Sequence, residues 1–291
     1  MLATPAQLAH TTDLNLVIRY VLAGLGHGIH VGRERGAGIE FSEYRAYAPG
    51  DEWRRVDWKL LARADRYYVR EAERDSHVAV WLWLDASASM AEPSRSVAGL
   101  DKLQYARAVL ACIAAIAQRQ GDAFGLIVCG GDRVKFTPAA RGPQQMQRIL
   151  AQLSRTEAQG SLPPAETLRA SLHFARSPSL VFAVSDYLDW PSAQSEALLR
   201  LRQMRHDVRA LCLQTDAECG AGFAAASAWR DPEQGTGLFR FEPEAYQKNR
   251  ADHFAGMSAD CRRSDIRTLD ARIEQPLQAV LRAWLRQAGR A

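Results

Sequence analysis

Three oxygen-bearing side chains follow the most hydrophobic strand that the sequence predicts. The run "VAVWLWL" spans residues 78–84, and Asp85, Ser87 and Ser89 come directly after it on alternate positions. Carboxylate and hydroxyl oxygens suit a hard cation such as Mg²⁺, which prefers six oxygen ligands at about 2.0–2.1 Å. In an extended chain Asp85 and Ser89 would lie about 13 Å apart, so the segment must curl into a loop for the three side chains to share one ion.

A second apolar run ends in the same way. Residues 179–186, "SLVFAVSD", end on Ser185 and Asp186. In an open parallel sheet the carboxyl ends of the strands share one edge, where ligands bind. The alternative is that Asp85, Ser87 and Ser89 only cap a turn and the next helix. Because two strands end on acids, we favour a metal site built from Asp85, Ser87, Ser89 and Asp186.

The elements that must position these side chains alternate between strand and helix. Predicted strands are 78–84, 123–130, 133–138, 179–186 and 207–214, and the segment "DIRTLD" at 265–270 precedes the last predicted helix. Predicted helices are 101–121, ending at Gly121, 143–155, 164–175, 191–204 with Pro191 at its start, and 274–287. This alternation predicts an α/β fold: a doubly wound, mostly parallel sheet with helices on both faces.

The first 76 residues differ from the rest. They are loop-rich, and residues 33–74 carry ten basic and nine acidic side chains, so the charge is dense but balanced. We predict that 1–76 is an N-terminal extension, with 33–76 packed on the sheet domain of 77–291, and that 216–245 is an excursion from the core. Balanced charge favours internal ion pairs in the extension, and a binding surface there is the alternative.

Composition narrows the class of protein. The chain is 47% hydrophobic, enough for a large core, and its net charge of +4 makes nucleic-acid binding unlikely on global charge. Five widely spaced cysteines favour buried free thiols over disulfides or a metal cluster. The longest apolar run, residues 109–117, is far shorter than the roughly 20 residues that span a bilayer. We expect a soluble cytoplasmic protein with no membrane span.

Two motifs resemble a known family. D-x-S-x-S after a buried strand resembles the metal-ion-dependent adhesion site of von Willebrand factor A-type domains. "RAYAPGDEWRRVDWKLLAR" resembles the R-x-Y-x-P-G-D-x-x-R-x-I-D-W-x-x-x-A-R motif of the bacterial domain of unknown function 58 family. The matching residues are Arg45, Tyr47, Pro49, Gly50, Asp51, Arg54, Asp57, Trp58, Ala62 and Arg63, with Val56 in place of isoleucine.

The resemblance extends from about Gly36 to the C-terminus. It implies a von Willebrand factor A-like domain, whose genes often neighbour those of MoxR-type AAA+ ATPases. Such domains usually add a threonine from a G-T-D-like loop, but the comparable stretch here is "GSLPPAETL". Ser161 is the first choice for the missing ligand and Thr167 the second.

The resemblance favours a non-enzymatic interaction or adaptor module for protein-complex assembly or maturation. The expected ion is Mg²⁺, with Mn²⁺ or Ca²⁺ as alternatives, and it would bind an acidic side chain of a MoxR-type AAA+ ATPase or of its client. A metal-dependent hydrolase is one alternative, but no general base lies near the predicted site in sequence. A binder of nucleic acid or another anionic partner through the arginines is the other.

Overall fold

A computed structural model of the chain has a six-stranded sheet with helices packed on both of its faces. The residues it describes are 4–9, 11, 13–25, 44–46, 68–70, 78–172, 177–220, 228–229, 239–240 and 242–286. Their strands are β1 (Tyr44–Ala46), β2 (Tyr68–Arg70), β3 (Val80–Asp85), β4 (Phe124–Gly130), β5 (Arg133–Ala140), β6 (Leu180–Ser185), β7 (Asp207–Gln214), β8 (Ala228–Trp229), β9 (Phe239–Arg240) and β10 (Arg267–Arg272). Their α-helices are α1 (Pro5–Ala9), α2 (Leu14–Leu25), α3 (Lys102–Gln120), α4 (Pro143–Arg155), α5 (Ala165–Ser171), α6 (Ala193–Gln203), α7 (Asp216–Cys219), α8 (Pro243–Arg263) and α9 (Leu277–Arg286).

The central sheet has the strand order β10-β7-β6-β3-β4-β5. Its neighbouring strands are parallel except β4 and β5, which are antiparallel. The chain enters the sheet at β3, adds β4 and β5 on one side, and then crosses to the other side for β6. The strand order therefore reverses between β3 and β6, which is where open α/β sheets bind their ligands. The predicted doubly wound, mostly parallel class is confirmed.

Strand β3 is apolar at every position before Asp85 because both of its faces are covered. Leu82 and Leu84 belong to one hydrophobic cluster, which the sheet forms with α2, α3, α4 and α9. Trp81 and Trp83 belong to the other, which it forms with α5, α6 and α8. All six residues of the strand are buried. This two-sided burial explains the uninterrupted hydrophobic run.

Helix α3 follows strand β3 along the chain and packs against it. Its N-cap is Asp101, whose carboxylate accepts a hydrogen bond from the Gln104 amide at 2.6 Å. It ends as predicted at Gly121, which has a left-handed φ of 77° that glycine adopts without strain. The N-cap holds the first residue of the helix, Lys102, at the carboxyl edge of the sheet.

Some helices differ from the prediction. Helix α6 begins at Ala193 rather than at Pro191, because Ser192 is the N-cap and forms a capping box with Ser195. Four helices occur where no helix was predicted: α1 and α2, within the first 76 residues that were predicted to be loop-rich, α7, at the start of the segment 216–245, and the 21-residue α8. Only Met257 and Cys261 are buried along α8, so it carries a weak apolar stripe.

The chain divides into two compact units, Met1–Gly32 with Ala79–Ala291, and Arg33–Val78. In the first unit α2 packs on α3, and the Gln104 side chain donates a hydrogen bond to the Leu8 carbonyl at 2.9 Å. In the second, β1 and β2 pair antiparallel. The packing of residues 33–76 on the sheet domain stays a prediction. Among the described helices, none has the length and apolar content needed to cross a membrane.

Candidate metal centre

Asp85 and Asp186 lie at the same edge of the sheet because they follow neighbouring parallel strands. Strands β3 and β6 pair with Leu84 beside Val184, so Asp85 at the end of β3 lies next to the end of β6. Asp186 follows β6 directly, and the two acids are 1% and 3% exposed. The structure thus brings the two strand-terminal acids together where the strand order reverses.

The Asp85 carboxylate is held on both of its oxygens. The Ser185 hydroxyl donates a hydrogen bond to Oδ2 at 2.5 Å, and the Ser87 amide donates one to Oδ1 at 2.8 Å. The same Ser185 hydroxyl accepts a hydrogen bond from the Tyr187 amide at 2.9 Å. Because these donors lie on two strand ends, they fix the Asp85 side chain relative to both strands.

The environment of Asp85 favours its protonated form. Burial and the nearby charge of Asp186 together raise the pKa of Asp85 from 3.8 to about 7, against the lowering effect of the hydrogen bonds from Ser185 and Ser87. Without a nearby cation, this carboxyl is therefore only partly ionised at neutral pH. A cation at the site would favour the ionised form.

The turn after β3 directs two hydroxyls towards each other. Ser87 precedes a 3-10 turn, Ala88–Ala91, but its side chain makes no capping hydrogen bond. Instead, its Oγ lies 3.1 Å from the Oγ of Ser89. Adjacent ligands of an octahedral Mg²⁺ ion lie about 2.9 Å apart, so this spacing matches two neighbouring positions around one ion. Ser87 is buried and Ser89 is partly exposed.

A loop before α5 lies against this turn. The Ala88 amide donates a hydrogen bond to the Gly160 carbonyl at 2.8 Å, and the Gln159 amide donates one to the Ala86 carbonyl at 3.0 Å. Ser161 therefore lies beside the turn, but its hydroxyl donates to Asp132 at 3.1 Å. Thr167 is an exposed residue of α5. Ser161 therefore lies nearer the turn along the loop, and both residues stay predictions for the further ligand.

A buried lysine, which the sequence analysis missed, binds Asp186. Lys102 is 0% exposed, and its Nζ lies 2.6 Å from Asp186 Oδ2 and 2.9 Å from Glu218 Oε1. Burial alone would lower the pKa of Lys102, but the contacts with Asp186 and Glu218 together raise it above its ordinary value. The Lys102 side chain is therefore a charged ammonium group. It binds one carboxylate oxygen of Asp186, which is a predicted metal ligand.

Glu218 reaches the site from the short helix α7. The Thr215 amide donates a hydrogen bond to Glu218 Oε2 at 2.6 Å, while the Glu218 amide donates one to the Thr215 hydroxyl at 3.1 Å. This reciprocal pair is a capping box, which a T-x-x-E pattern at 215–218 signals in the sequence. The sequence feature that could have drawn attention to Lys102 is the rarity of lysine, because the chain has only four lysines among its 37 basic residues.

The charges and donors at this edge fit a divalent cation in part. Three carboxylates and one ammonium, −3 and +1, leave a net charge of −2 when all are ionised. Asp85, Ser87 and Ser89 supply a carboxylate and two hydroxyls for a hard ion, whereas Asp186 is already bound to Lys102. Within the described ranges, no cluster of three His, Cys, Asp or Glu side chains could hold a metal. The serine hydroxyls are therefore the neutral side-chain oxygens that this edge offers beside Asp85.

The thiols near the site are poor nucleophiles. Burial raises the pKa of Cys129 and of Cys212 well above the ordinary value, so both stay protonated at neutral pH. Cys212 donates a long hydrogen bond of 3.5 Å to the Asp186 carbonyl. All five cysteines are free, as predicted; four of them are buried, whereas Cys219 is partly exposed.

One residue of the charged N-terminal motif lies among the described residues. Arg45 lies in β1. The other predicted motif residues lie outside the described residues: Tyr47, Pro49, Gly50, Asp51, Arg54, Asp57, Trp58 and Arg63.

Some solved structures are similar to this chain at low sequence identity. BatB from Bacteroides thetaiotaomicron is 13% identical with a TM-score of 0.46, and the alignment covers 74% of this chain and 100% of that one. The VWA domain of SpRpn10 is 10% identical with a TM-score of 0.42, covering 71% and 94% of the two chains.

Sequence comparisons give the family. The uncharacterized protein Rv1480 of Mycobacterium tuberculosis and the uncharacterized protein Mb1516 of Mycobacterium bovis are each 29% identical to this chain over 214 residues. The match covers 71% of this chain but 65% of the length of those proteins. The model of the family described as "Protein of unknown function DUF58" matches residues 43–256, which is most of the chain. This chain therefore belongs to the DUF58 family.

Proposed function

We propose that this protein is a non-catalytic interaction module that binds an acidic side chain of a partner protein through a divalent cation. The observation that carries the proposal is the pair of serine hydroxyls, 3.1 Å apart, next to a buried carboxylate at the point where the strand order reverses. Asp85, Ser87 and Ser89 would hold the ion, with Ser161 as the candidate for a further ligand.

The role of each side chain follows from its contacts. Asp85 supplies the negative charge, and Ser185 keeps its carboxylate oriented. The Ser87 and Ser89 hydroxyls supply neutral oxygens, so they add no charge to the site. A bound Mg²⁺ would supply an electrophilic centre that keeps a net positive charge and free positions for a partner carboxylate. Mn²⁺ or Ca²⁺ could take the same oxygens.

Exposed and partly exposed side chains beside the site offer a partner two points of contact. Ser89 is partly exposed, while Asp85 and Ser87 are buried beneath it. Leu188, two residues after Asp186, is 46% exposed although it is a large apolar side chain. An exposed apolar residue beside a polar site is the kind of contact that protein interfaces bury. Partner binding through both features would combine an ionic contact with apolar burial.

The proposed partner is a MoxR-type AAA+ ATPase or one of its clients, in the assembly or maturation of a protein complex. Membership of the DUF58 family supports this choice, because genes of that family often neighbour those of MoxR-type ATPases. The ionic contact is reversible, as an adaptor of an ATPase requires. The high pKa values of the nearby thiols support a site without chemistry on the partner.

The test measures metal and partner binding on the same variants. Isothermal titration of the full chain with MgCl₂ and MnCl₂ should give one site, and the double variant Ser87→Ala, Ser89→Ala should lose it. Ser154→Ala is the matched control, because Ser154 is an exposed serine of α4. Binding of the MoxR-type ATPase encoded in the same genome should fall with EDTA and with the double variant, but not with the control.

Three results would contradict the proposal. If partner binding is indifferent to EDTA and to loss of the two hydroxyls, the site does not mediate it. If the chain hydrolyses phosphoester or peptide substrates only with metal, the metal-dependent hydrolase is the better account. If the protein retards nucleic acid in a gel-shift assay and this binding weakens steeply with salt, a binder of nucleic acid or another anionic partner is the better account.

A further inference from the structure

We infer that Lys102 is a resident cation of the site that keeps the affinity for a divalent ion low. The inference rests on the proposed function, because it concerns the same site. Its basis is that the ammonium group already binds the second strand-terminal acid, Asp186, which would otherwise be available to a metal.

The lysine is fixed in this position by its place in the fold. It is the first residue of α3, which Asp101 caps, and it is completely buried. Its Nζ lies 2.6 Å from Asp186 and 2.9 Å from Glu218, whose side chains are only 4% and 10% exposed. A buried ammonium with two carboxylate partners stays bound to them, because a buried charge without a partner costs folding free energy.

The positive charge acts against a second cation. Coulomb's law gives about a tenfold change in affinity for a dication about 6 Å from one unit charge, even at the dielectric constant of water, and more in a buried site. Lys102 also removes the charge of Asp186 from the ion's ligands. A metal held by Asp85 and two hydroxyls would bind weakly and keep a net positive charge.

This arrangement makes metal and partner depend on each other. An ion with one anionic ligand gains more from a partner carboxylate than an ion with two. Lys102 is therefore a positioning residue that disfavours the metal alone and favours the metal together with an acidic partner. The site would bind a divalent ion weakly in the free protein and more tightly in the complex.

The test compares three full-length proteins by isothermal titration with MnCl₂. Relative to wild type, Lys102→Met should bind Mn²⁺ at least about tenfold more tightly, because Asp186 becomes available and the repulsion is lost. The double variant Lys102→Met, Glu218→Gln removes one charge of each sign, so we expect it to fold at a lower cost than Lys102→Met, because only Asp186 loses its charged partner. It should also bind more tightly than wild type.

A melting experiment gives a second readout. Lys102→Met should gain more in melting temperature on addition of MnCl₂ than wild type does, because the ion would replace the lost ammonium. If wild type binds Mn²⁺ and neither folded variant binds it more tightly, the inference is wrong and the proposed function survives. If only the variants bind, the inference holds and the metal role in the natural protein fails. If none binds, both fail.

Discussion

The hydroxyl of Ser185 joins the two strand ends that form the candidate site. It donates to Asp85 Oδ2 at 2.5 Å and accepts from the Tyr187 amide at 2.9 Å. Ser185 is 0% exposed and Tyr187 is 1% exposed. The substitution Ser185→Ala therefore removes two buried hydrogen bonds without changing the charge of the site.

The expected loss of stability follows from these two contacts. A hydrogen bond to a charged group contributes about 1.5–3 kcal/mol, and a buried amide left without a partner costs about 1–3 kcal/mol. The two contributions share one hydroxyl and do not add fully, so we expect the free energy of unfolding to fall by about 3 kcal/mol. The pKa of Asp85 should also rise, because the Ser185 hydrogen bond lowers it.

Urea denaturation of the full chain at pH 8 with EDTA measures this loss. The same substitution in the Asp85→Ala background should cost less by at least about 0.5 kcal/mol, since the acceptor is gone. Ser154→Ala, the exposed control on α4, should stay within about 0.5 kcal/mol of wild type. A loss below about 1 kcal/mol for Ser185→Ala, or an equal loss in both backgrounds, would refute the assigned role of this hydroxyl.

Three further predictions concern titration, thiols and the partner surface. The folded pKa of Asp85, about 7, lies above its ordinary 3.8, so the folded state holds the proton more tightly. With EDTA present, the free energy of unfolding measured with urea should therefore decrease by up to about 4 kcal/mol as the pH rises from about 4 to 7. This pH dependence should be much weaker in Asp85→Asn. Native protein should expose at most one thiol, Cys219, to Ellman's reagent and five after unfolding; fast reaction of several native thiols contradicts the burial. Leu188→Ser should weaken partner binding several-fold and leave Mn²⁺ affinity unchanged, and equal affinity for the partner would exclude this contact.

Local patterns predicted the elements that build the sheet. The apolar run before Asp85 predicted a doubly covered strand, because only a strand between two layers of helices is apolar on both faces. The stripe Leu277, Val280, Leu281, Trp284 and Leu285 predicted the C-terminal helix, and all five side chains are buried. Helix α8 escaped prediction because it buries few residues, so its pattern lacks a strong period.

The position of the site could also be predicted from the sequence, since parallel strands that end on acids bring those acids to one edge. The cation that binds Asp186 could not be predicted in this way. Lys102 lies 84 residues from Asp186 and 116 from Glu218 along the chain, and nothing local brings these side chains together. The register of β3 with β6, the cap on α3 and the capping box of α7 decide that contact. Sequence alone therefore determined the strands and the acids at their ends, whereas tertiary packing decided which charge balances them.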